Sequence, residues 1–75
     1  MTILCGGTQR QAIAYADRHH FDRSKFRIAS NVDDLYGYIH GTLLIMVGNW
    51  HTSDDSQRIK EAGLKIGMAV VEEVR

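Results

Sequence analysis

Few side chains in this 75-residue chain could do chemistry: one cysteine, four histidines, nine acids and nine bases. Cys5 ends one apolar run and His51 lies in the loop that ends another, so a thiolate–imidazole pair can be drawn between two neighbouring strand ends. No third group to orient the imidazole falls out of the spacing. A cysteine at such a position also serves as a small buried hydrophobe. His19 and His20 are adjacent, and consecutive helical residues point about 100° apart, too far to share one ion. His40 and His51 lie elsewhere and no zinc-finger spacing occurs. No metal, cofactor or complete catalytic constellation is expected.

A second kind of chemistry is suggested by Gly6-Gly7-Thr8, a glycine turn after an apolar run. Thr8 and Gln11 stand where a dinucleotide fingerprint needs glycine, and a phosphate loop would need a lysine that is absent. The simpler account is a tight strand-to-helix turn. Arg10 keeps the other account alive, because a cation in a first helical turn opposes the dipole unless an anion is near.

Trp50 sits in the run Gly48-Asn49-Trp50-His51, where its ring either offers a binding anchor or folds back over a small core. Tyr36, Tyr38 and His40 alternate, so at least one of these rings should face solvent. Charge is segregated along the chain. Residues 18 to 27 carry four bases, two histidines and one acid; residues 28 to 57 carry Asp33, Asp34, Asp54 and Asp55 and no base. Solvated loops and dipole-matched aspartates account for this, as does docking through complementary patches. Phe21 and Phe26 could stack bases beside the basic run, although a net charge of zero disfavours nucleic acid.

The elements that position these residues alternate in type. Thr2–Cys5 reads as a buried strand, and Thr8 with Gln11 as a capping box opening a helix over Gln9–His20. Phe26–Ala29 reads as a strand, and Asn31 as the cap of a short helix over Val32–Ile39 ended by Gly41. Thr42–Val47 is apolar without alternation, as a strand covered on both faces should be. Thr52 with Asp55 opens a helix over Asp54–Ala62, with Gly63 just past its end. Leu64, Ile66, Met68 and Val70 alternate as a last strand at an edge; the rival is continuation of the helix. The expected fold is α/β: a minimal Rossmann-like three-layer domain, β-α-β-α-β-α-β, with a mostly parallel four-stranded sheet.

In such a sheet ligands bind beyond the carboxyl ends of the strands, where helix N-termini favour anions. That singles out Gly6, Gly7, Thr8, Arg10, Asn31 and Asn49 as ligand candidates, and Trp50, His51 and Tyr36 as candidates for contact with a protein.

Length and composition bound the rest. At 44% hydrophobic and 24% charged, this is one globular domain, neither a disordered tail nor a coiled coil. One cysteine forbids an internal disulfide, and the longest apolar run is far too short to span a bilayer. No signal-peptide pattern opens the chain, so a soluble cytoplasmic protein is expected. A core this small gains from self-association.

The runs Thr-Ile-Leu-Cys-Gly-Gly-Thr-Gln-Arg-Gln-Ala (2–12), Asp-Asp-Leu-Tyr-Gly (33–37) and Leu-Leu-Ile-Met-Val-Gly-Asn-Trp-His (43–51) resemble small proteins of actinobacterial phages. Those are mostly of unassigned function, so the resemblance implies an origin more than an activity. A remoter similarity is to P-loop ATPase cores. This chain departs from them in lacking the phosphate-loop lysine and in placing Gly48-Asn49 where the acidic residue belongs. Two functions are expected to compete: a non-catalytic module that self-associates and binds a host or phage protein, and a domain for a nucleotide or other phosphate.

Overall fold

The computed structural model describes residues 2–35 and 42–73. Within them the strands are β1 (Thr2–Gly6), β2 (Phe26–Ile28), β3 (Leu43–Val47) and β4 (Ala69–Glu72), and the helices are α1 (Gln9–Arg18) and α2 (Asp54–Ile66). The sheet runs β2-β1-β3-β4, and every neighbouring pair is parallel. This is a doubly wound α/β domain, three layers deep and Rossmann-like. The second connecting segment contributes a 3₁₀ turn, Val32–Leu35, in place of the first half of the expected helix; the other half lies outside the described residues, with Tyr36, Tyr38 and His40.

Alternation along the strands divides the core in two. Ile3, Cys5, Leu44 and Met46 meet Leu35 and Ile59 on the α2 side. Leu4, Ile45 and Val47 meet Ala12 and Ala16 of α1 on the other. The small alanine face of α1 lets the helix lie close over the central strands. Each side chain buried in this way is worth about 1.5–3 kcal/mol for a large aliphatic.

Both helices end in the same device. At α2, the Gly67 N–H donates to the carbonyls of Gly63 and Leu64 at 3.2 Å, and the Met68 N–H donates to Gly63 at 2.9 Å, with Gly67 left-handed at φ 92°. The expected stop at Gly63 is therefore displaced by one turn. Gly63 lies inside the helix, where a β-carbon would come within 2.7 Å of Leu44 Cδ2; its smallness serves packing rather than termination. Leu64 and Ile66 accordingly belong to the helix and not to a strand, and the last strand begins at Ala69, at the sheet edge.

At α1 the corresponding left-handed residue is His20, at φ 56°. The Phe21 N–H donates to Ala16 O at 2.9 Å and the His20 N–H to Asp17 O at 3.3 Å. That closure ends the helix at Arg18, two residues before the expected end. A side chain in this backbone region costs about 1–2 kcal/mol.

Candidate functional site

The carboxyl edge of the sheet is where a doubly wound domain places its ligands, and here the switch in strand order falls between β1 and β3. Three segments meet there. Thr8 caps α1 as expected, its hydroxyl accepting the Gln11 N–H at 3.2 Å. The cap of α2 is Ser53, which accepts the Ser56 N–H at 3.3 Å; the expected cap, Thr52, instead belongs to a 3₁₀ turn (Trp50–Thr52) and donates its hydroxyl to Asn49 O at 2.7 Å. Ser56, only 3% exposed, donates to Gly6 O at 2.8 Å and ties α2 to the end of β1.

Gln11 does not complete a capping box. Its Oε1 accepts the N–H of Asn49 at 3.1 Å, across the sheet edge. A β-carbon at Gly48 would lie 2.5 Å from that oxygen, and one at Gly7 would lie 2.8 Å from Asn49 O. The glycines at 7 and 48 are thus required by the close approach of two turns and one carboxamide. The carboxamide oxygen takes the backbone donor that a ligand oxygen would otherwise find there.

Beside this contact, Gly6, Gly7 and Thr8 line a crevice of about 110 Å³ with Ser30, Ser53 and Asp55. The N-termini of α1 and α2 border it, which favours an anion, while Asp55 opposes one. The other expected ligand residues are not brought into it. Arg10 is exposed on α1. Asn31 is exposed on its turn, with its Oδ1 accepting the Asp34 N–H at 3.2 Å. Asn49 is committed to Gln11 and Thr52 through its backbone.

Cys5 is 0% exposed, and burial pushes its thiol above the ordinary value of 9.0, partly offset by hydrogen bonding with Ser56. His51 is exposed within the 3₁₀ turn. A protonated, buried thiol cannot serve as a nucleophile toward a ligand in solution. Among the described residues no group of three or more metal-ligating side chains is gathered. No helix among them is long and apolar enough to cross a membrane.

Trp50 folds back over the core and keeps part of its ring at the surface. It is partly buried against the α2-side core, and Lys60 Nζ stands 5.0 Å from its ring centroid. Lys60 also pairs with Glu72 of β4. The remaining indole surface borders a groove of about 350 Å³ with His51, Gln57, Glu61 and Leu64. Leu64 is 55% exposed. The sequence pattern gives no sign of this groove residue, because the alternation of Leu64, Ile66, Met68 and Val70 reads as a strand; in α2 it follows the buried Gly63 and lies off the packed stripe.

The architecture thus defines a minimal doubly wound α/β domain whose strand-end turns are closed upon one another. Comparison with protein-family models, with curated proteins and with solved structures finds no match to the chain.

Proposed function

We propose that the chain is a small non-catalytic interaction module of the phage type, which self-associates and binds a second protein in the cytoplasm of a bacterial host. The observation that carries this reading is the groove beside Trp50, in which a large aliphatic, Leu64, stands exposed next to a half-buried indole. Aromatic anchors of that kind dominate protein interfaces. The fitting occupant is an apolar side chain of a partner protein, laid between the indole edge and Leu64. The protonated, buried Cys5 adds support by removing the most reactive side chain from use.

The alternative is a nucleotide or other phosphate in the crevice of Gly6, Gly7 and Thr8, favoured by the two helix N-termini beside it. Gln11 and Asp55 weigh against it. Leu64→Glu separates the two readings. The interaction module requires that the variant keep its melting temperature and lose a protein that copurifies with the native chain. Retention of that protein by Leu64→Glu, or a melting temperature raised by a nucleotide panel, would overturn it.

A further inference from the structure

All four strands run the same way, so the connections entering strands collect at one edge of the sheet and those leaving them at the other. The carboxyl edge carries Asp33 and Asp34 on the 3₁₀ turn after β2, and Asp54 and Asp55 in the first turn of α2. All four are exposed; the bases near this edge are Arg10 and, one turn further into α2, Arg58. The amino edge carries Arg18 at the end of α1, Arg23 and Lys25 in a 3₁₀ turn leading into β2, and Lys65 in the last turn of α2. Arg27 lies exposed one residue into β2. The ion pair formed among the described residues is Lys60–Glu72, and it takes in neither group of charges.

The opposing charges are Asp17 and Asp22 near the amino edge and Arg10 and Arg58 near the other, and formally the whole chain sums to zero. The charge is therefore a dipole along the strands rather than an excess of either sign. The amino edge is also concave. Thr2, His20, Phe21, Asp22, Lys25 and Phe26 surround a recess of about 340 Å³ there, floored by aromatic rings. A nucleic acid would account for the basic edge and leave the acidic one unexplained. A second copy of this chain accounts for both.

We propose that copies stack head to tail, the basic amino edge of one sheet docking on the acidic carboxyl edge of the next. This rests on the self-association put forward above and names its surfaces. Such contacts are heterologous, so they close into a ring or grow as a filament. Their attraction acts through solvent and weakens as the screening length falls to about 10 Å at 0.1 M salt.

Sedimentation of the whole chain at low and high salt tests this with two exposed charge-reversal variants, Arg23→Glu/Lys25→Glu and Asp54→Lys/Asp55→Lys. Circular dichroism melts confirm that each folds, and Asp54→Asn/Asp55→Asn replaces the second if reversal in the first turn of α2 unfolds it. The native chain is expected to associate at low salt and dissociate at high salt. Each variant alone should associate at least about tenfold more weakly, and an equimolar mixture of the two reversals should recover the native affinity, since their edges are complementary again. Assembly that neither salt nor reversal disturbs would overturn the head-to-tail stack while leaving self-association standing through another face. A monomer under all conditions would overturn both. Weakening confined to the basic-edge variant, accompanied by loss of copurifying nucleic acid, would assign that edge to a polyanion and overturn the stack.

Discussion

Gln11 Oε1 accepts the backbone N–H of Asn49 at 3.1 Å, joining the turn after β1 to the turn after β3 across 38 residues of sequence. This one contact explains the glycines on both sides of it. It also places a protein oxygen where a doubly wound domain would otherwise offer its donor to a ligand.

Removing the contact should cost about 1 kcal/mol, the net worth of one such hydrogen bond. Gln11→Ala is therefore expected to lower the urea midpoint without changing the slope. Gly48→Ala should cost more, since the residue sits at φ 62° and its new β-carbon meets Oε1. In a Gln11→Ala background the clashes at 2.5 and 2.8 Å with the carboxamide are removed, and the tight contact with the β-carbon of residue 11 at 3.1 Å remains. The two substitutions should then fall short of additivity by about 1 kcal/mol. Strict additivity would mean that the carboxamide does not fill this space.

Gly7→Ala presses a β-carbon against the Asn49 backbone, which cannot swing aside as a side chain can. A loss of about 2 kcal/mol is expected by thermal melting. A neutral result would show that the two turns are not in contact in solution.

The order of the strands in sequence and the cap at Thr8 were legible because each rests on local signals: short apolar runs, a glycine turn and a threonine three residues before a glutamine. The last helix was harder. Thr52-x-x-Asp55 and Ser53-x-x-Ser56 overlap one residue apart, and only the 3₁₀ turn that consumes Thr52 decides for Ser53. Gly63 and Gly67 are both suited to end a helix. The choice depends on Leu44, nineteen residues away in sequence, which needs the bare backbone of Gly63 beside it. Gln11 carries no local sign that its partner is Asn49, and Leu64 becomes a groove residue only once α2 is extended past Gly63. The site was thus visible as a set of strand ends, while its closure was set by tertiary contacts.

His20 is a non-glycine residue in the left-handed region at the end of α1. His20→Gly is expected to stabilise the chain by about 0.5–1 kcal/mol, the relief of that backbone exceeding glycine's greater entropy when unfolded. Calorimetry would read it as a higher melting temperature; a lower one would show that the His20 side chain is needed where it lines the recess with Phe21 and Phe26.

Burial raises the thiol of Cys5 from 9.0, and burial with the nearby Glu73 carboxylate raises the Tyr15 hydroxyl from 10.0. In both, the folded chain holds the proton more tightly than the unfolded one. Their contribution to stability is complete below about pH 9 and is lost as pH rises through the folded values. Asp22 acts in the opposite sense. Hydrogen bonds from Ser24 lower its carboxyl from 3.8, so what it contributes persists above that value and fades as pH falls further. Urea midpoints measured across alkaline pH should decline from about pH 9 upward, and Cys5 should alkylate at the rate of global opening. Rapid alkylation at neutral pH would contradict the buried thiol and reopen a catalytic role.

Trp50→Ala and Leu64→Glu should part company. The indole packs on the core and under Lys60, so its loss should cost about 3 kcal/mol or less of stability, whereas the exposed Leu64 should tolerate charge within about 0.5 kcal/mol. Thermal melts of the two variants check this, and equal losses would place Leu64 in the core.

The most direct test of an interaction module is native mass spectrometry of the chain purified gently from a bacterial host. The predicted spectrum contains multiples of the 8.5 kDa chain, alone or with a second protein, and no small-molecule adduct. A monomer carrying the added mass of a nucleotide would contradict it.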